Sequence, residues 1–308
     1  MLIATGSTFR RLRVPGANRS EIFYLRQIRD SQAIRAQLKR GKKAVVIGSG
    51  FIGMEVASVL ASHGVRTTMV FPDDRVWKRL FTPPVSSFFE RQFAGHGITF
   101  MKGEEVVAVT GRKCECEVVL ASGKKVPTDF IVAGIGAIPN VKLFQQTPLN
   151  ADDGIKVNEF LETCVPGIWA AGDVANYPDQ IFHRRMRVEH WDNAVEQGRG
   201  AMRNMMGKLQ PFIHVPYFFS DTFDLSYECW GDADGHDQVI YRGNMDKKQL
   251  SVWWLKRQAL CAALIMNRPE EERELAPRWI LRRPRLDARM LKSARNLKSL
   301  DTTFGRQD

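Results

Sequence analysis

The hydrophobic pattern changes period several times along the chain, and each change marks an element. Lys42-Lys43-Ala44-Val45-Val46-Ile47 ends in a short continuous apolar run, the mark of a strand buried on both faces. After Gly48-Ser49-Gly50-Phe51-Ile52-Gly53, the residues Ile52, Val56, Val59 and Leu60 recur at helical spacing as far as His63-Gly64, where Gly64 suits a C-terminal cap. Val65 to Phe71 is again β-rich, and Pro72-Asp73-Asp74 closes it. Strand, helix and strand in this order over about 30 residues make a βαβ unit. Upstream, Met1 to Ser7 reads as a buried strand with nothing before it to pair with. Arg10 to Gly16 reads as a linker, and Ser31 to Leu38 as a helix. Downstream, Pro83-Pro84 opens a helix through Phe93. Residues 98–101, 105–109 and 117–120 read as strands, with Ser122-Gly123 as a hairpin turn. Residues 129–132 form a buried strand leading into Gly134-Ile135-Gly136.

The second half continues with a helix over Asn193 to Met206. From Pro211 the pattern becomes strand-like at 225–230, 250–255 and 260–266. Lys256-Arg257-Gln258 lacks the glycine usual in a tight hairpin, which predicts a distorted turn. Pro269-Glu270-Glu271-Glu272 starts a helix through Ile280, and the tail from Arg282 reads as basic and flexible.

The glycines at 48, 50 and 53 have G-x-G-x-x-G spacing, and each has a job in a dinucleotide site. Gly48 permits the tight turn off the strand. Gly50, lacking Cβ, lets a pyrophosphate approach the backbone, and Gly53 lets the helix lie close to the strand. Phe51 and Ile52 supply N–H groups at the helix start, where the partial positive charge favours phosphate. A glycine-rich turn with no ligand is the plainer reading of the motif alone; the ordered strands, helix and downstream acids favour the ligand. Asp73 and Asp74 stand where a carboxylate can accept from a ribose 2′-hydroxyl and repel a 2′-phosphate, which favours NADH. Phe71-Pro72 displaces them from the usual place, and Arg66, Arg75 and Lys78 could serve a phosphate instead. An ordinary polar loop remains open for the two aspartates.

At 308 residues the chain can bury a sizeable core in two or three domains. No apolar run reaches transmembrane length, and Met1-Leu2-Ile3-Ala4 is no signal peptide. The five cysteines form no C-x-x-C pair, so neither a zinc site nor a redox dithiol is indicated, and no other metal site is read. Cys114 and Cys116 would share one strand face. Free thiols in a reducing, cytoplasmic setting are the expectation. The net charge of +11 is uneven: residues 1–43 hold eleven basic side chains against Glu21 and Asp30. Such a face could steer an acidic partner or bind nucleic acid weakly, or be a solvated surface. No specific nucleic-acid motif is present.

Four segments carry a family resemblance. Leu2-Ile3-Ala4-Thr5-Gly6-Ser7, Gly48 to Glu55, Gly134-Ile135-Gly136-Ala137-Ile138-Pro139-Asn140 and Gly167-Ile168-Trp169-Ala170-Ala171-Gly172-Asp173 resemble, in order, the motifs of two-dinucleotide flavoprotein reductases. Arg79-Leu80-Phe81-Thr82-Pro83 and Val188-Glu189-His190-Trp191-Asp192-Asn193-Ala194 point to the group holding ferredoxin, rubredoxin, putidaredoxin and monodehydroascorbate reductases and apoptosis-inducing factor. The resemblance implies an α/β fold of Rossmann type with an incomplete FAD domain and a C-terminal α+β domain. The expected order is an FAD-domain strand and linker (1–19), an NAD(P)H-binding domain (20–138), the second part of the FAD domain (139–211) and the C-terminal domain (212–308).

It further implies FAD and NAD(P)H as cofactors, with hydride passing from nicotinamide to flavin and electrons to a small acceptor or an acidic iron–sulfur protein. Glu55 would lie near the nicotinamide; as a residue of the helix's first turn it also reads as plain capping electrostatics. Gly136 would admit the carboxamide. Gly172 and Asp173 would hold the ribityl chain, although a helix N-cap role is open for Asp173. Glu189, His190 and Trp191 would begin a helix beside the flavin pyrimidine, with His190 read as a packed, hydrogen-bonded residue rather than a proton donor. Phe219 would be an aromatic over the flavin, or a core strand residue. Members of the group carry an earlier G-x-G-x-x-G for the FAD pyrophosphate, which this sequence lacks. The expectation is therefore a fragment, a truncated product or a chain completed by a separate N-terminal piece. A homodimer is compatible with this reading. The rival is a nucleotide-holding regulatory protein with little turnover, of the apoptosis-inducing-factor kind.

Overall fold

The computed structural model describes residues 1–112, 115–149 and 151–304. They divide into two compact units. One comprises Thr8–Ile138 with Asp221–Asp224; the other, composite unit comprises Met1–Ser7, Pro139–Ser220 and Leu225–Asp308.

The 8–138 unit is built on a five-stranded parallel sheet. Its order is Ile22–Phe23, Phe130–Ala133, Lys43–Ile47, Arg66–Phe71 and Thr99–Lys102. Ala44 to Ile47 are at most 6% exposed, as the unbroken apolar run requires of a central parallel strand. The helices are α1 (Ile28–Arg35), α2 (Phe51–Ser62) and α3 (Pro83–Gly95). α3 starts on Pro83 and buries Phe88, Phe89 and Phe93. A three-stranded antiparallel meander (Val106–Arg112, Glu115–Leu120, Lys125–Thr128) shares its core with the sheet: Val109, Cys116, Val118 and Leu120 join Val45, Ile47, Val70 and Ile131. Cys116 therefore points inward, while Cys114 lies outside the described residues. The four described cysteines are free thiols.

Two sequence expectations shift here. α1 begins three residues early, because Asp30 accepts the backbone N–H groups of Arg26 and Gln27 at 3.0 and 2.8 Å and so fixes the helix start. α2 begins at Phe51 and carries no acid in its first turn. Glu55 stands one turn further in, so the capping explanation for it falls away.

In the composite unit the first strand does find a partner. Leu2–Ile3 pairs in parallel with Trp169–Ala170, from far downstream. A four-stranded sheet (Ala151–Asp152, Gly154–Lys156, Ala175–Asp179, Arg184–Met186) and α4 (Trp191–Met205) complete this part. Beyond it lies a five-stranded antiparallel sheet ordered Tyr217–Thr222, Leu225–Gly231, Ala259–Met266, Gln249–Lys256 and Gln238–Asn244. All eight residues of Ala259–Met266 are buried, as befits its middle strand.

The edge strand Gln238–Asn244 escaped the hydrophobic pattern because its inward positions are Ile240 and Arg242, and an arginine breaks the alternation. α5 (Glu270–Arg282), α6 (Ala288–Ser293) and α7 (Lys298–Phe304) follow, so the tail is not the loose basic segment its composition predicts. Leu286, Leu291, Leu297 and Leu300 enter one core with Trp253, Ile265 and Trp279. Buried Arg242 donates to the carbonyls of Leu291 and Ala294, and the Trp279 indole N–H to Asp301 at 2.7 Å. The leucines follow no helical period and are diluted by arginines, which hid them.

The hairpin at Lys256 closes without glycine. Arg257 and Gln258 both take left-handed conformations (φ 51° and 67°), held by an Arg257 N–H bond to Asp237 and a Leu286 N–H bond to the Gln258 carbonyl. The expected distortion is a register shift between Trp254 and Leu255. Among the described residues no helix is long and apolar enough to cross a membrane, and no cluster of histidine, cysteine and acidic side chains could hold a metal.

Candidate dinucleotide and flavin sites

In the 8–138 unit, two glycine turns meet where neighbouring parallel strands end. Gly48 follows Lys43–Ile47 and Gly134 follows Phe130–Ala133. Gly48 has φ +111°, and a Cβ there would sit 2.3 Å from the Gly134 carbonyl oxygen. A Cβ on Gly53 would sit 2.3 Å from the Gly48 oxygen. Both glycines are demanded by the chain itself. Gly50 is different. It is the N-cap of α2 with φ −80°, a conformation any residue adopts, and no described atom lies within 4 Å of where its Cβ would be. No close neighbour in the fold explains this glycine. The seat is the carboxyl end of a parallel sheet facing a helix N-terminus, where open α/β folds bind nucleotides.

The other expected residues of this site each have their own surroundings. The Phe51 ring lies 5.7 Å from that of Trp77, and Ile52 is exposed. Gly136 (φ +103°) accepts the Arg10 N–H at 2.8 Å, and only the Arg10 guanidine reaches 4.0 Å of its missing Cβ. Glu55 is half-buried and lines a groove of about 440 Å³ between α1 and α2. Asp73 is half-buried. Asp74 is exposed and held by Lys78 and Arg75 at 3.2 and 3.4 Å; the Lys78 hydrogen bond holds its carboxyl below the usual range. Of the cations that could have met a phosphate, Arg66 spends its donors on the Gly41 carbonyl.

In the composite unit, Trp169–Ala170 ends in a 3₁₀ turn, Gly172–Val174. Ala171, not Asp173, caps that turn, so the N-cap reading of Asp173 does not hold. The Asp173 carboxylate instead accepts the Ser7 hydroxyl at 2.6 Å. Gly172 (φ +80°) donates its N–H to Gln197 Oε1 at 2.8 Å, and its missing Cβ would lie 3.5 Å from Ala194 of α4. Arg187 donates to the Asp173 carbonyl and pairs with Asp153 and Glu189. Thus the turn bearing Asp173 is pinned by Ser7, Arg187 and Gln197, and it abuts the beginning of α4.

The start of α4 is equally constructed. His190 is its N-cap, with Nδ1 accepting the Asp192 N–H at 3.3 Å. Burial lowers its pKa, which suits a neutral ring with an acceptor nitrogen. The ring stands roughly edge-on to Tyr217, Phe218 and Phe219, with centroids 6.2 to 6.5 Å away. Trp191 is 71% exposed and Phe219 51%, so neither is a core residue. Asn193 and Gln197 are fully buried, yet Asn193 Oδ1 and Gln197 Nε2 have no partner among the described residues. Buried polar atoms without a partner at the start of α4 are compatible with a polar ligand there. Ser7, Arg187, Gln197 and His214 were not singled out from the sequence. They act through contacts across long sequence separations, which no local pattern shows.

Residues 1–198 match the family model for pyridine nucleotide-disulphide oxidoreductase, and 217–300 match that for the reductase C-terminal domain. The chain belongs to the pyridine nucleotide-disulphide oxidoreductase family. Monodehydroascorbate reductase of Pisum sativum is 34% identical, over 90% of this chain and 67% of that protein. Putidaredoxin reductase CamA of Pseudomonas putida is 33% identical, over 88% and 66%. Among solved structures, the covalent putidaredoxin reductase–putidaredoxin complex matches with a TM-score of 0.94 at 30% identity, over 99% of this chain and 75% of that one. A ferredoxin reductase from Rhodopseudomonas palustris matches at 0.85 and 33%, over 88% and 67%. The chain spans about two thirds of the length of the curated relatives it matches. The α/β, Rossmann-like reductase architecture with its C-terminal domain is the one that members of this oxidoreductase family show.

Proposed function

We propose that the chain works in NADH-dependent flavoprotein reduction, with electrons leaving for a small acceptor. The observation that carries this reading is Gly50. Of the three motif glycines it alone answers to no internal constraint, and it stands at a helix N-terminus. Gly48 and Gly53 shape the turn, Gly50 leaves room for the pyrophosphate, and the first N–H groups of α2 would bond it. Asp73 is the candidate ribose acceptor, since Asp74 is already engaged by Lys78 and Arg75. Gly136 would leave room at the nicotinamide end, with Glu55 nearby.

In the composite unit Asp173 would accept from a ribityl hydroxyl while Ser7 and Arg187 keep it oriented. Because that turn abuts α4, the flavin ring would come near the α4 N-terminus, whose partial positive charge favours electron density there. When bound, the nicotinamide supplies a hydride and the flavin divides the electron pair for the acceptor. Neutral, capped His190 fits a packing role, and hydride transfer asks no proton of it. The relatives named for monodehydroascorbate and putidaredoxin, and the basic run before Ala44, support a small organic radical or an acidic iron–sulfur protein as acceptor.

Gly50→Ser tests the reading. Serine is a good N-cap and has room, so the melting temperature should hold or rise. NADH affinity, followed by fluorescence titration, should fall at least about tenfold as the pyrophosphate is held off. Unchanged NADH affinity in a folded variant would refute the site.

A further inference from the structure

The charges at the start of α4 do not all suit the role given to it. Asp192 is the acid in its first turn. A carboxylate there favours the helix, but it opposes any second anion at the same end. His214, on the segment leading into Tyr217–Thr222, meets that carboxylate: Nε2 lies 2.6 Å from Oδ2, and both side chains are about one-fifth exposed. The pair thus ties the C-terminal sheet to the helix end. His190 is close by, its Nδ1 accepting the Asp192 N–H, and Asp192 and Asp173 act on it in one direction and His214 in the other. Asp173, His190, Asp192 and His214 form one electrostatic cluster around the helix start.

We infer that His214 is a positioning residue that engages the Asp192 carboxylate through Nε2, and so sets how strongly the α4 N-terminus favours reduced over oxidised flavin. The inference rests on the flavin reading above. Asp192 alone would work against added electron density, and His214 hands the advantage back to the helix.

The test compares the midpoint potential of bound flavin in the parent, His214→Gln, Asp192→Asn, the double variant and His214→Lys. The His214→Gln protein should lose about three- to tenfold in its preference for reduced flavin, a fall of about 15 to 30 mV for the two-electron couple. Asp192→Asn should move the potential the opposite way. The double variant and His214→Lys should return close to the parent. In flavin-free protein, urea midpoints of the first four should be non-additive, reporting the pair itself. Shifts of the same sign in both single variants, or none, would overturn the inference while leaving the flavin reading intact. A parent that takes up no flavin would overturn both.

Discussion

The two candidate seats are built on opposite principles. The candidate dinucleotide turn is made of backbone: glycines at 48 and 53 are fixed by oxygens that a Cβ would strike, and Gly50 between them is left bare. The candidate flavin turn is made of side chains: the Asp173 carboxylate accepts the Ser7 hydroxyl, and the backbone carbonyl of the same residue accepts from Arg187, both from elsewhere in the chain. A backbone seat tolerates almost no substitution but needs no supporting cast. A side-chain seat depends on partners that can be removed one at a time, each at moderate cost.

The contrast can be broken most forcefully at Gly48 and Gly53. Alanine at either should cost about 3 kcal/mol or more, from the backbone clash and, at Gly48, the left-handed conformation. Urea unfolding would register this as a large fall in midpoint, and a loss under 1 kcal/mol would mean the backbone is not the constraint. On the other side, Asp173→Asn should leave stability nearly intact, since Ser7 can still donate. It should weaken flavin binding roughly ten- to a hundredfold, as losing a charge-assisted bond does. Ser7→Ala should weaken it only about fivefold, the worth of one ordinary hydrogen bond. Quenching of flavin fluorescence measures both, and equal losses would deny the hierarchy.

The mildest test concerns His190. Its folded pKa lies below the ordinary histidine value, so the unfolded chain takes up the proton first as pH falls. Stability is full above about 6.5 and is lost between that unfolded value and the lower folded one. His190→Asn keeps an N-cap acceptor and should flatten the melting temperature across that window. A profile that stays as steep would place the titrating group elsewhere.

The same contrast explains what could be read from the sequence. Gly48, Gly50 and Gly53 are neighbours in the chain, so their spacing exposed both the turn and its helix. Asp173 was visible as a carboxylate ending an apolar strand. Ser7, at the other end of its hydrogen bond, is 166 positions away, and no local pattern couples them. The parallel partner of Leu2–Ile3 was hidden for the same reason. Arg242 misled twice: a buried arginine interrupted the alternation of its strand, and the carbonyls it satisfies belong to a tail that looked too basic to pack. The pairing of His214 with Asp192 was out of reach, because each alone is an unremarkable polar residue.

That arginine carries a practical warning for anyone trimming the polypeptide. The residue is 6% exposed, and its guanidinium shares Glu272 with Arg268. Proteolysis or subcloning that removes everything beyond Arg283 would leave a buried cation short of acceptors and uncover the pockets of Leu286, Leu291 and Leu297. The shortened product would not be a tidier version of the same molecule. It would present a greasy, half-wet sheet face and precipitate.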